Sequence, residues 1–152
     1  MNAEIEFCLN RADQATILKH LLDCDSEFLP RLSERVEIPS YSLKIQESAT
    51  RFEAWNASHL VGLLAAYCND AEQRAAFITS VSILKQWQGK GIAQQLLDQC
   101  IARIRGLGFA QIELEVALDN SKAVLLYAGR GFVTQQANST TAKMRLELGV
   151  RT

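Results

Sequence analysis

AAFITSVSILKQWQGKGIAQQLLDQC, residues 75–100, decides the fold. AAFITSVSILK (75–85), rich in apolar and β-branched residues, reads as a strand. Gly89 and Gly91 then flank Lys90. A helical pattern begins at once, with Ile92, Leu96, Leu97 and Cys100 on one face, and it continues through Ile101 and Ile104. Gly106 and Gly108 are placed to end that helix. Next, QIELEVAL (111–118) alternates. Ile112, Leu114 and Val116 point one way; Gln111, Glu113 and Glu115 point the other. Residues 75–116 therefore read as strand, glycine turn, helix and strand, expected as a right-handed parallel crossover.

A glycine turn between a strand and a helix has a definite use. Without a Cβ the backbone can bend sharply and let a ligand approach. The helix start offers unpaired N–H groups and partial positive charge, and Lys90 adds a cation, so the turn suits a pyrophosphate. A Walker loop is excluded, because Gly91 rather than Ser or Thr follows Lys90. A dinucleotide fingerprint is only partly met, since Gln94 holds the third glycine position. The pattern Q/R-x-x-G-x-G/A is met in register by Gln88, Gly91 and Ala93. Taken alone, the turn also fits a plain tight turn.

Outward from this unit the chain is mixed. IEFCLN (5–10) reads as a strand, and Asp13 as the cap of a helix bearing Ile17, Leu18, Leu21 and Leu22. Residues 28–49 hold both prolines, Pro30 and Pro39, and read as an irregular or helical excursion broken at each. RFEAWNA (51–57) and LVGLLAAYC (60–68) are expected to form a hairpin around Ala57-Ser58-His59. After 111–118, Asn120 caps a helix carrying Ala123, Val124 and Tyr127, closed by Gly129 and Gly131. FVTQQ (132–136) and TAKMRLEL (141–148) complete the chain as an antiparallel pair. The fold class is mixed α/β, in one domain spanning 1–152.

Composition narrows the function. At 152 residues with 48% apolar and 22% charged residues, the chain has the make-up of a globular domain. A net charge of −1 and a pI near 6.1 argue against a general nucleic-acid binder. No apolar run approaches the roughly 20 residues of a membrane span, and the N-terminus is too polar for a signal peptide. A cytoplasmic location is expected, with no membrane partner. Cys8, Cys24, Cys68 and Cys100 show no metal-ligand spacing and read as small buried residues without disulfides. His20 and His59 are isolated, so no metal site is expected. Asn56-Ala57-Ser58 and Asn138-Ser139-Thr140 match the glycosylation triplet but carry no weight without a secretion signal.

A second patch sharpens the reading. NSKAVLLYAGRGF (120–132) fits N-x-x-A-x-x-L-Y-x-x-x-G-F through Asn120, Ala123, Leu126, Tyr127, Gly131 and Phe132. Together with the first motif it resembles the GCN5-related N-acetyltransferase (GNAT) superfamily. The resemblance covers 81–93 and 120–132 directly, and the element order extends it along nearly the whole chain. It implies a single domain with a central, mostly antiparallel sheet that contains one splayed parallel strand pair, flanked by helices. It also implies transfer of an acetyl group from acetyl-CoA to an amine. Val81, Ser82 and Ile83 would hold the pantetheine arm through the main chain. Gln88, Gly89, Lys90, Gly91, Ile92 and Ala93 would hold the pyrophosphate, and Asn120 and Tyr127 would lie beside the thioester. Lys85 stands where many members have proline, and Ala93 where glycine is commoner.

Amine attack on a thioester needs a neutral amine, whereas a lysine-type amine has a pKa of about 10.4. A base must take the proton, directly or through water. By the resemblance, Leu114-Glu115-Val116 matches GNAT proteins that acetylate protein N-termini, which implies Glu115 as base. Glu113 and an ordered water chain are its rivals, and a solvated or ion-paired strand residue is the plainer reading of Glu115. Tyr127 is placed by motif as proton donor to the departing sulfur; otherwise it is a core aromatic whose hydroxyl caps a backbone group. Phe28, Arg31, Arg35 and Tyr41, in the early excursion, are the acceptor-binding candidates. The two arginines read either as anchors for a carboxylate or phosphate, or as surface charges. Ser33-Glu34-Arg35-Val36 with Tyr41-Ser42-Leu43-Lys44 is also similar to GNAT proteins encoded among surface-polysaccharide genes, which implies an amino-sugar acceptor. The expected activity is acetyl-CoA-dependent N-acetylation of a small-molecule or peptide amine. A non-catalytic acyl-CoA-binding module of the same fold and, more remotely, a nucleotide-binding domain are the alternatives. A monomer and a homodimer both fit the sequence.

Overall fold

The computed structural model describes residues 4–149. They form β1 (Glu6–Leu9), α1 (Gln14–Cys24), α2 (Ile38–Ser48), β2 (Thr50–Asn56), β3 (His59–Tyr67), β4 (Ala75–Ile83), α3 (Ile92–Gly106), β5 (Gln111–Ala117), α4 (Ser121–Ala128), β6 (Val133–Ala137) and β7 (Thr141–Glu147). Short 3₁₀ turns at 25–27, 32–34 and 85–87 join them. All strands lie in one sheet of order β1-β2-β3-β4-β5-β7-β6. Only β4 and β5 pair in parallel; the other neighbours are antiparallel. The element order and the mixed sheet agree with the reading of the sequence.

Each face of the sheet carries its own core. On one face α3 and Tyr127 of α4 pack on Phe52, Val61, Leu64, Ile78, Leu114 and Met144. On the other, α1 and α2 pack on Trp55, Leu60, Leu63 and Ala65. β3 is buried from Leu60 to Ala66, which explains why its sequence runs apolar rather than alternating. β5 alternates because its second face carries Glu113 and Glu115.

Gly62 of β3 brings the two halves of the crossover close. A Cβ there would sit 3.0 Å from Ile83 Cδ1 and 3.1 Å from Ile92 Cγ2. The end of β4 and the start of α3 are thus seated against the sheet because this residue has no side chain.

Three local expectations shift. On α1 the buried face is Ile17, His20, Leu21 and Cys24, while Leu22 is 53% exposed. The helix buries positions i, i+3, i+4 and i+7, and Leu22 falls off that stripe. Pro39 starts α2 instead of breaking a helix, because the first turn has no intrahelical use for its missing N–H. All four cysteines are free, but only Cys24 and Cys100 are buried; Cys8 and Cys68 are half-buried. No group of His, Cys, Asp and Glu among the described residues could hold a metal, and no helix is long and apolar enough to cross a membrane.

Candidate active site

The glycine turn is shaped by its backbone. Gly89 and Gly91 have φ of 77° and 81°, the left-handed region that disfavours side chains, and Gly91 is the N-cap of α3. No side chain caps that helix. Among the described residues, the N–H groups of 89–94 have no protein acceptor, and Gln95 N–H opens the helical ladder by donating to the Gly91 carbonyl at 3.1 Å. A Cβ on either glycine would meet nothing within 4 Å, so the outer side of the turn is open. Consecutive unpartnered N–H groups at a helix start fit a diphosphate. The Gln88 side chain is engaged within the protein. Its Nε2 donates to the Ile83 carbonyl at 3.1 Å and to Glu27 Oε1 at 3.0 Å. It thereby ties the turn to the end of β4.

β4 and β5 pair only from Ala75↔Gln111 to Ile78↔Leu114. Beyond that point they part. The divergence coincides with a bulge: Ala65 pairs Ser80 and Ala66 pairs Ile78, leaving Thr79 as an extra residue on β4. Tyr41 clamps this bulge, donating its hydroxyl to the Thr79 carbonyl at 2.9 Å and lying 2.7 Å from Thr79 Oγ1.

The gap joins two cavities. A cleft of about 720 Å³ runs along the turn, lined by Val81, Ser82, Ile83, Gln88, Gly89, Gly91, Ile92, Ala93 and Asn120. Lys122 and Arg130 also line it, and sequence reasoning missed both. Arg130 is held by Asp98 of α3 at 3.0 and 3.2 Å. Lys90 does not line the cleft. A crevice of about 150 Å³ adjoins it between the parted strands, lined by residues 78–81 of β4, 114–117 of β5, Tyr127, Glu27, Phe28 and Arg35. Of the acceptor candidates, Phe28 and Arg35 reach this crevice. Arg31 and Tyr41 do not.

Tyr127 and Glu115 approach the crevice from opposite faces of the sheet. Tyr127 is buried in the α3 side core, edge-on to Phe132 with ring centroids 5.8 Å apart. Burial, reinforced by the neighbouring Cys100, pushes its phenol up to about 12, so it stays protonated near neutrality. Its hydroxyl has no protein hydrogen-bond partner among the described residues. Asn120 caps α4, its Oδ1 accepting from Ala123 N at 3.2 Å. Glu115 is exposed and makes no hydrogen bond or ion pair among the described residues. Glu113, two residues earlier on the same face, is occupied: Arg145 Nη2 lies 2.9 Å and Lys143 Nζ 3.9 Å from its Oε2. None of the four cysteines lines either cavity, and burial pushes Cys24 up to about 12 and raises Cys100. These two thiols are not nucleophiles near neutrality.

Residues 15–132 match the acetyltransferase (GNAT) family. The chain belongs to that family. It is 36% identical over 76 residues to the uncharacterized N-acetyltransferase YdgE of Bacillus subtilis, a match covering 50% of this chain and 45% of that protein. It is 28% identical over 83 residues to the N-alpha-acetyltransferase MAK3 of Arabidopsis thaliana, covering 54% and 44%. This GNAT chain thus matches less than half the length of each of these relatives. The fold also resembles yncA from Salmonella typhimurium, solved with acetyl-CoA, at a TM-score of 0.76 and 16% identity over 99% of this chain and 96% of that one.

Proposed function

We propose that this GNAT protein is an acetyl-CoA-dependent N-acetyltransferase acting on a primary amine of a small molecule, such as an amino sugar, or of a peptide. The observation that carries the reading is the gap between β4 and β5. A run of free N–H groups opens onto the cleft beside it, and Tyr127 and Glu115 flank the gap from opposite faces. Acetyl-CoA would supply the acyl group as a thioester.

The N–H groups of 89–94 suit its diphosphate, and the unpaired edge of β4 at Val81, Ser82 and Ile83 suits an amide-bearing arm. Glu115 takes a proton from the acceptor amine, directly or through one water. The amine nitrogen bonds to the acyl carbon as the carbon–sulfur bond breaks. The electron pair leaves on sulfur, and the thiolate is protonated, through water, by the second proton that the nitrogen sheds as the amide forms. Tyr127 Oη donates a hydrogen bond to that sulfur. Complete transfer from a phenol near 12 to a thiolate whose thiol has a pKa of about 8.5 is uphill, so hydrogen-bond donation is its main contribution. With no cysteine lining either cavity, transfer is direct rather than through an acyl-cysteine.

Incubation with acetyl-CoA and a panel of amines, with free thiol measured, tests the reading. Amine-dependent thiol release is expected. Binding of acetyl-CoA with no release for any amine would mark a non-catalytic acyl-CoA-binding module instead.

A further inference from the structure

The crevice holds opposite charges that do not meet. Arg35 extends over the Phe28 ring, its guanidinium carbon 5.8 Å from the ring centroid, and forms no ion pair among the described residues. Glu115 is likewise unpaired. Glu27 accepts only the neutral Gln88 amide, at 3.0 Å. Ser80 also lines the crevice; it is 5% exposed, and its buried Oγ has no hydrogen-bond partner. The neighbouring Tyr41 hydroxyl is committed to Thr79. A buried hydroxyl without a partner costs stability unless a ligand completes it.

We infer that the acceptor is a small amino acid, an amine and a carboxylate on one molecule, with its carboxylate on Arg35 and its amine at Glu115. This rests on the transferase reading above. A guanidinium is the side chain best matched to a carboxylate, and here its plane is steadied by Phe28. Ser80 lines the same crevice, with its Oγ buried behind the surface. The other acceptor chemistries fit less well. A diamine would set its second ammonium against Arg35. A phosphate dianion would face two carboxylates, Glu27 and Glu115, with a single guanidinium in compensation. An amino sugar would leave Arg35 without a counter-charge.

The test compares each amino acid with its own primary amide, alongside diamines and amino sugars, as acceptors for acetyl-CoA. Binding of the same compounds in the presence of CoA is measured by calorimetry. In the wild type, kcat/KM for the acid should exceed that for the amide by about 10–100-fold. Arg35→Ala, at an exposed position, should bring the ratio near one by raising KM for the acid; Arg35→Lys should restore part of it. Equal rates for acid and amide, an undiminished ratio in Arg35→Ala, or acetylation confined to diamines or amino sugars would overturn the inference while leaving the transferase reading intact. So would failure of every amino acid to bind. Absence of acetyl-CoA binding would instead overturn the reading on which it rests.

Discussion

In the proposed reaction, Tyr127 and Glu115 carry the proton chemistry. Tyr127→Phe keeps the ring against Phe132 and removes only the hydroxyl. Turnover should fall by roughly 10²-fold, the lower end of what a positioned acid contributes, with acetyl-CoA affinity nearly unchanged. Near-normal turnover would assign Tyr127 to packing. Glu115→Gln should lower kcat/KM by roughly 10²–10⁴-fold and remove the rising limb of the pH profile that belongs to the base, leaving the limb of the amine. Glu113→Gln should leave both limbs in place and cost stability, because Lys143 loses its partner and Arg145 keeps only Glu147. If the limb vanishes in Glu113→Gln and survives in Glu115→Gln, the assignment is reversed. Alternation along β5 puts both glutamates on one face, so local pattern cannot separate them. Register on β7 sets Glu113 opposite Arg145 and Glu115 opposite Lys143; their difference is that Lys143 Nζ lies 3.9 Å from Glu113 and leaves Glu115 without a partner among the described residues. Arg31 and Arg35 present the same problem: Arg35 lines the crevice with its guanidinium over Phe28, and Arg31 does not line it.

At the scale of elements, the glycine turn and α3 are the most readable part of the chain. Periodicity places all six stripe residues, Ile92, Leu96, Leu97, Cys100, Ile101 and Ile104, in the core. What the pattern does not supply is direction. Lys90 stays outside the cleft lining, and Gln88 braces Ile83 and Glu27. The Thr79 bulge is invisible in the sequence too, since an extra residue exists only relative to the strand beside it. Gly91→Val tests the turn. Nothing lies within 4 Å to clash, so the effect must come from forcing a β-branched residue to φ of 81°. The conformation should cost about 1–3 kcal/mol, and relaxation of the turn should weaken acetyl-CoA binding by at least about tenfold in calorimetry. Gly91→Asn should be milder, because asparagine tolerates the left-handed region. Unchanged affinity in a folded Gly91→Val protein would remove the turn from the site.

Across the whole molecule, α1 is fastened to the strand that lines the cleft. His20 is buried, with Nδ1 donating to the Leu60 carbonyl at 3.0 Å and Nε2 3.0 Å from the Ser82 hydroxyl, which can donate to it. Burial disfavours the charged ring and lowers its pKa below the ordinary 6.5. Above about pH 6.5 both folded and unfolded chains hold this histidine neutral. As pH falls below that value the unfolded chain takes up a proton that the folded one resists, so stability declines by up to about 1.4 kcal/mol per pH unit. Thermal midpoints should therefore drop between pH 6.5 and 5, before most carboxylates titrate, and the drop should shrink in His20→Gln. An equal drop in that variant would place the acid sensitivity elsewhere. In the sequence alone this histidine looks isolated, because Ser82 lies 62 residues away and meets it only through the fold.

The parting of β4 from β5 has a consequence for association. Beyond Ile78 and Leu114 each strand shows the other an unpaired main-chain border in the middle of the sheet. Such borders at the rim of a sheet invite foreign strands, and proteins blunt them with charge or cover. Here the two borders face each other across a fissure inside the sheet rather than at its rim, with Phe28 and Tyr127 on its walls. The protein thus keeps open hydrogen-bonding capacity at the centre of its sheet instead of at an edge. Amide hydrogens of Val81, Ser82 and Ile83 that point into the fissure should exchange faster than those directed at β3, and acetyl-CoA should slow them selectively.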